Sequence, residues 1–257
     1  MDQSQLAQSA PRRNDVSAAE WEARVDLAAA HRLAEIKDWT DLIFNHFTVR
    51  VPGEPGSFLI KRHTLMFEEV TASNLVKVDV EGAPVGTESD VNPAGFTIHS
   101  AVYHARPEVQ AVMHLHSQVG TTISARKGGL RFLCQEAMQF YNRVSYHDFE
   151  GIALDTDERE RLAANLGRNK TMILRNHGLL TCGDSVADAM LGLRNLIMVA
   201  EVQLQVEATG AEINEPPPDV CERTAQQYEA LAKRHGRRTE WQAMLRWLDR
   251  RDPSYRN

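Results

Sequence analysis

The residues best suited to chemistry are His114 and His116, which flank Leu115 at the end of an apolar run. In a β-strand, side chains two positions apart point to the same face of the sheet, so the two imidazoles would lie side by side. Neutral imidazole is a good ligand for Zn²⁺, Mn²⁺ or Fe²⁺, and one ion would satisfy both rings. The spacing indicates a divalent metal site. The pair alone leaves open an alternative, two partly exposed strand histidines without a metal.

A third candidate ligand, His177, lies in the segment Arg175-Asn176-His177-Gly178 between two apolar runs. Gly178 permits a tight reversal of the chain at this point. Functional residues are common where such loops leave a rigid scaffold. By itself, this histidine fits a structural turn as well as it fits a metal ligand.

The elements that must position these histidines alternate between strands and helices, which predicts a single α/β domain with helices on a mixed sheet. Residues 1–16 are expected to form a disordered leader, residues 17–257 the domain, and residues 214–257 its C-terminal helical extension. The patterns predict strands at 45–51, 57–60, 75–80, 109–116, 170–175 and 178–182, and helices at 17–38, 92–106, 117–126, 157–166 and 185–209, followed by two helices in the tail.

The composition excludes several classes of protein. The formal net charge of -6 argues against a general nucleic-acid or anionic-membrane binder, because both need a basic surface. No apolar run approaches the length needed to cross a bilayer. Three separated cysteines without a CxxC motif fit reduced thiols in a cytoplasmic protein better than a disulfide framework.

With the two histidine motifs in place, the chain resembles the class II aldolase/adducin family over about residues 18–210. The matching stretches are Phe44–Arg50, Phe67–Asp79, Ile98–Ser117, Tyr146–Ile152 and Leu174–Gly183, followed by the long helix. The resemblance implies a three-layer α/β/α sandwich around a central mixed, largely antiparallel sheet. It also implies a homotetramer with active sites between adjacent subunits.

The resemblance further implies that His114, His116 and His177 together bind one divalent ion per subunit, with zinc the first expectation and manganese or iron as alternatives. Three neutral ligands would leave the ion its positive charge and an open coordination position. Such an ion is a Lewis acid that polarises a carbonyl group while a carbon–carbon bond breaks.

The sequence departs from the sugar-phosphate aldolases of this family at two places. In those enzymes a Ser-Ser-Glu segment holds phosphate and supplies a glutamate that acts as fourth ligand and general base, but its equivalent here is Pro93-Ala94-Gly95. A second phosphate-binding element, Gly-Asn-x-Ser-x-Arg, corresponds to Asn45–Arg50, and its glycine has become Asn45. The Asn-His pair at this point resembles the adducin-like and decarboxylase branch.

Candidates for the missing base are His46, Glu136 and Tyr141, and for each the alternative is an ordinary packing or solvation role. Asn45 and Thr48 are the candidate substrate-binding residues because they belong to the altered phosphate element. The segment Lys61-Arg62-His63-Thr64 fits a solvated charged loop or, alternatively, a contact for an anionic substrate. The remaining isolated histidines are expected on the surface: His31, His63, His104 and His235.

Three functions follow from these residues, in order of preference. The first is a metal-dependent carbon–carbon lyase, of the aldolase or decarboxylase type, acting on a small non-phosphorylated carbonyl or carboxylate compound. The second is a non-catalytic scaffold or interaction protein like adducin, which has no need of three metal ligands. The third is a sugar-phosphate aldolase or epimerase, which the degraded phosphate elements disfavour.

Overall fold

The computed structural model describes residues 11–85, 91–152 and 157–257, so most of the expected leader lies outside the described residues. The strands are β1 (His46–Val51), β2 (Glu54–Ile60), β3 (Val76–Asp79), β4 (Ala111–Leu115), β5 (Val144–His147), β6 (Thr171–Leu174) and β7 (Gly178–Gly183). The α-helices are α1 (Ala18–Ile36), α2 (Pro93–Ala105), α3 (Gln118–Ser124), α4 (Glu158–Leu166), α5 (Val186–Ala208), α6 (Pro218–His235) and α7 (Arg238–Asp249). Short 3-10 helices lie at Phe67–Glu69, Gln135–Phe140 and Pro253–Arg256.

The strands form one mixed sheet in the order β3-β2-β1-β4-β7-β6-β5. Neighbouring strands are antiparallel except β5 and β6, which run parallel. The sequence did not predict β5, whose four residues include the polar Ser145 and His147 and which is defined by its pairing with β6. Two registers matter for the site, because His46 on β1 and Leu180 on β7 both pair with His114 on β4.

Helices cover both faces of the sheet, which confirms the predicted three-layer α/β/α architecture. One face carries the core built with α1, α5 and α7, including Leu27, Leu193 and Leu248. The opposite face carries the core built with α2 and α4, including Val102 and Leu162. Serine side chains begin three of the helices by accepting backbone N–H groups, Ser17 at α1, Ser117 at α3 and Ser185 at α5.

Alternation along β1 divides its side chains between these two cores. Phe47 and Val49 enter the core under α1 and α5. His46 and Thr48, which alternate with them along the strand, point to the other face, where both contact His99 of α2. The face of the sheet under α2 therefore carries a buried polar row beside the histidine motif.

The C-terminal segment packs against the rest of the domain. Trp241 and Leu245 of α7 are buried, and the Trp241 Nε1–H donates to Asp26 of α1 at 2.9 Å. Tyr255 is also buried, and its backbone carbonyl accepts from the Ala72 N–H. The C-terminal helices therefore help to close the core over α1.

Two expectations about surface residues are wrong. His31 is fully buried between Phe47 and Phe67, and its Nδ1–H donates to the Leu27 carbonyl at 2.8 Å. Lys61 and Arg62 are also buried, so this segment is not a solvated loop. Residue type alone did not indicate that other elements of the fold cover these side chains. His104 is exposed and His63 is partly buried.

Burial of neutral His31 predicts a pH-dependent stability. Burial lowers its pKa to about 3, so between the ordinary value and this one the unfolded chain binds a proton that the folded chain does not. The free energy of unfolding should therefore fall as pH falls through this window. In His31→Leu, the slope should decrease by roughly 1 kcal/mol for each pH unit. Urea unfolding at pH 6.5, 5.5 and 4.5 measures this, and parallel curves for both proteins would contradict it.

Candidate metal centre

Antiparallel pairing of β4 with β7 brings the three predicted ligands together. His114 lies near the end of β4, and His116 follows that strand directly. His177 immediately precedes β7, whose Leu179 pairs with Leu115. One ligand nitrogen from each histidine lies within 4.8 Å of the other two. The structure thus assembles the group that the sequence pattern indicated.

Two of the rings are oriented by acceptors behind them. His114 Nδ1–H donates to the Leu179 carbonyl at 3.0 Å, and His116 Nδ1–H donates to the Asp41 carboxylate at 3.4 Å. In neutral rings this leaves both Nε2 atoms with lone pairs, and these nitrogens face each other at 2.9 Å. Two facing lone pairs repel each other, and a cation between or beside them removes the repulsion.

The surroundings keep these imidazoles neutral. The pKa of His114 lies well below its ordinary value, chiefly through burial and then through repulsion from His177 and His116. Burial, with His116 and His147, lowers the pKa of His177 to about 4. Burial also lowers the pKa of His116 against the opposing effect of Asp41. Near neutral pH, ion binding would therefore not have to displace protons from the ligands.

The donor set fits a divalent ion of the zinc class. Zinc binds imidazole nitrogen at about 2.0–2.1 Å, which puts the ligand nitrogens of a tetrahedral site about 3.3 Å apart. The Nε2 atoms of His114 and His116, at 2.9 Å, need to separate only slightly to reach this spacing. Structural zinc sites use four protein ligands, whereas catalytic sites commonly use three and keep a position open. The described cluster contains three histidines, so its composition matches the open type.

No sequence pattern pointed to Asp41, which lies on the loop between α1 and β1. The loop is held on both sides: the Asp41 N–H donates to Asn45 Oδ1 at 2.9 Å, and the Lys61 ammonium donates to the Ile43 carbonyl at 2.8 Å. Leu42 has a φ of 45°, a conformation that is costly for a side chain with a Cβ. Strained backbone is common at functional sites, and here it lies next to the carboxylate that orients His116.

Asp41→Asn should weaken metal binding without removing it. A carboxylate behind a ligating histidine fixes the ring and raises its basicity, and loss of such a partner typically costs about 10–100-fold in affinity. Competition with a chromogenic zinc chelator measures the change. Asp38→Asn is the matched control, since Asp38 is exposed on the same loop and asparagine tolerates its φ of 55°. Equal affinities for Asp41→Asn and wild type would remove Asp41 from the site.

His46, the first candidate base, borders the cluster without belonging to it. Its ring centroid lies 4.9 Å from that of His114, and its Nδ1 lies 2.9 Å from His99 Nε2. A Cβ built on Gly95 would lie 2.8 Å from the His46 ring and 3.1 Å from its Nε2. The imidazole of His46 therefore fills the space into which a side chain at position 95 would project.

The predicted substrate-binding residues are buried. Thr48 bonds through its hydroxyl to His99 and Tyr103, and Asn45 holds the Asp41 loop. The Asn45 Nδ2 amide has no hydrogen-bond partner among the described residues. These contacts place both side chains behind the histidine cluster as supports, and direct contact with substrate stays a prediction.

The other candidate bases lie on the segment around the 3-10 helix Gln135–Phe140. The Tyr141 ring packs edge-on against Phe132 at 5.0 Å, and the Glu136 carbonyl accepts from Gln139. The segment packs against α5 and α6. Their catalytic role also stays a prediction, without a described contact to the three histidines.

A wide groove lies elsewhere on the described surface. It has a volume of about 1180 Å³ and is lined by residues that include Cys182 and Asp184 at the far end of β7. His177 lies at the opposite end of the same strand. This groove is a weaker candidate site than the histidine cluster, because the charged groups of the groove are largely paired with one another. Arg143 pairs with Glu222, and Lys170 pairs with Asp188.

Comparisons with known proteins show which sequences this chain is similar to. A profile of the class II aldolase and adducin N-terminal domain matches residues 25–204. A protein of Pseudomonas aeruginosa, named as a candidate aldolase class 2 protein, is 43% identical over 245 residues that cover 94% of each chain. Rat alpha-adducin is 44% identical over 190 residues, which make up 72% of this chain and 26% of that protein.

Solved structures of similar proteins share this fold over nearly the whole chain. An aldolase II superfamily protein from Pseudomonas syringae is 47% identical, with a TM-score of 0.91 over 95% of this chain and 99% of that one. L-fuculose 1-phosphate aldolase from Glaciozyma antarctica is 27% identical, with a TM-score of 0.80 over 98% and 99%. Across the described ranges, none of the helices is long and apolar enough to span a membrane.

Proposed function

The chain belongs to the class II aldolase and adducin family, and from that premise we propose that it is a metal-dependent carbon–carbon lyase. We propose a small, non-phosphorylated carbonyl or carboxylate compound as substrate, cleaved by aldol cleavage or decarboxylation. The observation that carries the proposal is the cluster of His114, His116 and His177, whose ligand nitrogens lie within 4.8 Å of one another. Zinc is the proposed ion, with manganese or iron as the alternatives.

The residues divide the work. His114, His116 and His177 would hold the ion, and Asp41 and the Leu179 carbonyl orient two of these rings. When bound, the ion supplies a Lewis acid that polarises a substrate carbonyl and accepts negative charge as the bond breaks. The low pKa values keep the ligands available in neutral form.

His46 is the proposed proton carrier. Its ring fills the volume beside Gly95, the position that the family resemblance assigns to a glutamate base. Burial holds the pKa of His46 well below its ordinary value, so the resting imidazole is neutral. A neutral imidazole next to the metal ligands can accept a proton at Nε2 and return it to product. Glu136 and Tyr141 remain the alternative bases.

Similarity to alpha-adducin supports a second candidate, a scaffold or interaction protein without catalysis. The chain shares 44% identity with that protein over 190 residues. Three neutral imidazoles whose ligand nitrogens lie within 4.8 Å of one another favour the enzyme, since a scaffold does not need them. Under either function we propose a cytoplasmic homotetramer, with the assembly inferred from the family and the compartment from three free cysteines.

A substrate screen with the zinc-loaded protein tests the proposed lyase. Sugar phosphates are the compounds in that screen that best distinguish it from a sugar-phosphate enzyme. L-Fuculose 1-phosphate and related compounds should be poor substrates, because Gly95 offers no base and the side chain of Asn45 is buried against the Asp41 loop. Non-phosphorylated hydroxy-carbonyl and keto-acid compounds should be turned over faster. Retro-aldol cleavage of a sugar phosphate with kcat/KM of about 10⁴ M⁻¹s⁻¹ or more would establish the third candidate, a sugar-phosphate enzyme, instead.

A further inference from the structure

A chain of buried hydrogen bonds runs from His46 away from the metal centre into the layer between the sheet and α2. His46 Nδ1 lies 2.9 Å from His99 Nε2, and His99 Nδ1 lies 2.5 Å from Thr48 Oγ1. Thr48 Oγ1 in turn lies 2.9 Å from the Tyr103 hydroxyl. All four side chains are at most 3% exposed. The chain contacts His46 on the nitrogen opposite its proposed reacting atom.

Each link of this chain contains one hydrogen, so the two histidines cannot choose their tautomers independently. If His99 holds its proton on Nδ1 and donates to Thr48, His99 Nε2 accepts the Nδ1–H of His46. The Nε2 atom of His46 then carries a lone pair. If Thr48 donates to His99 instead, the proton of His99 moves to Nε2, and His46 must hold its own proton on Nε2. The threonine hydroxyl thus influences an atom two links away.

The remaining contacts favour the first arrangement. In it, the Thr48 hydroxyl can donate to Tyr103 or to the Val112 carbonyl at 3.5 Å, and the Tyr103 hydroxyl can donate to the Gln110 carbonyl at 3.4 Å. Every polar hydrogen of the four side chains then has an acceptor. In the second arrangement, the Nε2–H of His46 has no protein acceptor among the described residues, so one polar hydrogen of the four side chains lacks a protein partner.

We propose that Thr48 and His99 are positioning residues that hold His46 in the tautomer with its proton on Nδ1, leaving Nε2 as a proton acceptor at the metal centre. This inference rests on the proposed function for its catalytic meaning, whereas the tautomer itself is a property of the resting protein. Thr48, predicted as a substrate-binding residue, would thereby act on the reaction through two histidines.

The test reads the tautomers directly. The full-length, zinc-loaded protein is labelled with ¹⁵N-histidine, and long-range ¹H–¹⁵N correlation spectra at pH 7.5 report which ring nitrogen holds each proton. His46→Gln assigns the His46 signals. The wild type should show the proton of His46 on Nδ1. In Thr48→Val, which removes the hydroxyl at nearly constant volume, the proton of His46 should shift to Nε2.

Two matched variants separate this effect from general disturbance. Thr48→Ser retains the hydroxyl and should keep the wild-type tautomer. Tyr103→Phe leaves Thr48 the Val112 carbonyl as acceptor and should also keep it. Zinc content should stay at the wild-type level in all three variants. Once a substrate is known, Thr48→Val should lower kcat on the order of 10²-fold, with Thr48→Ser close to wild type.

Either of two results overturns the proposal: a wild-type His46 with its proton on Nε2, or an unchanged His46 tautomer in folded Thr48→Val. If Thr48→Val does not fold, the wild-type spectrum still decides the first point. The spectra need no substrate, so a wrong tautomer leaves the proposed lyase standing. Absence of lyase activity likewise leaves the tautomers readable.

Discussion

Replacing both His114 and His177 by alanine should reduce the metal content from about one divalent ion per chain to background. His114 lies on β4 and His177 in the turn before β7, with their ring centroids 4.7 Å apart. Their removal leaves His116 as the one remaining ligand of the cluster. A single imidazole on a half-buried surface does not retain an ion through gel filtration. Elemental analysis after zinc loading and desalting measures the result, and the His114→Ala and His116→Ala pair should behave alike.

His104→Ala is the matched control, because His104 is an exposed histidine outside the cluster. It should keep the wild-type metal content. Circular dichroism and thermal unfolding check that the double variants are folded, since His114 is fully buried. A folded double variant that still holds one ion per chain would show that the metal lies elsewhere and would remove the basis of the proposed lyase.

His46→Gln should lower kcat by about 10²–10⁴-fold once a substrate is known, with metal content unchanged. Glutamine approximates the reach of the imidazole and can still bond to His99, but it cannot accept a proton near neutral pH. The comparison of kcat with zinc stoichiometry separates proton transfer from ligation. A loss below tenfold would clear His46 and direct attention to Glu136 and Tyr141. Joint loss of metal and activity would make His46 part of the ion's shell.

The ring of His46 and a side chain at position 95 would occupy the same volume, which offers a second test of the site. Gly95→Glu alone should destabilise the protein, because the added Cβ meets the His46 ring at 2.8 Å. In a His46→Gly background, the same substitution should cost less, since the ring that blocks it is gone. A double-mutant cycle of unfolding free energies measures this coupling. Additive effects would show that the ring does not occupy that volume.

Local sequence was sufficient for the features that depend on periodicity and residue type. Side chains alternate along a strand, so the spacing of His114 and His116 already placed both rings on one face. Hydrophobic periods located α1, α3 and α5 within a few residues. The α/β class followed from the order of these elements. The candidate metal site at His114 and His116 was therefore available before any coordinates.

Family resemblance extended that prediction to His177 and to the glycine at position 95. It did not reveal that the ring of His46 fills the space beside Gly95, since that contact joins β1 to α2 across the layer interface. Nor did it reveal β5, whose short polar sequence becomes a strand through its pairing with β6.

Only the tertiary structure decided which groups stand behind the site. Asp41 lies on a loop whose conformation depends on Asn45 and on the buried ammonium of Lys61, and no local pattern marks it as a partner of His116. His99 reaches His46 because α2 packs over β1. Burial and hydrogen-bond partners are set by whatever element covers a side chain. Strand periodicity and family resemblance therefore predicted the candidate ligands, whereas packing determined the residues that orient them.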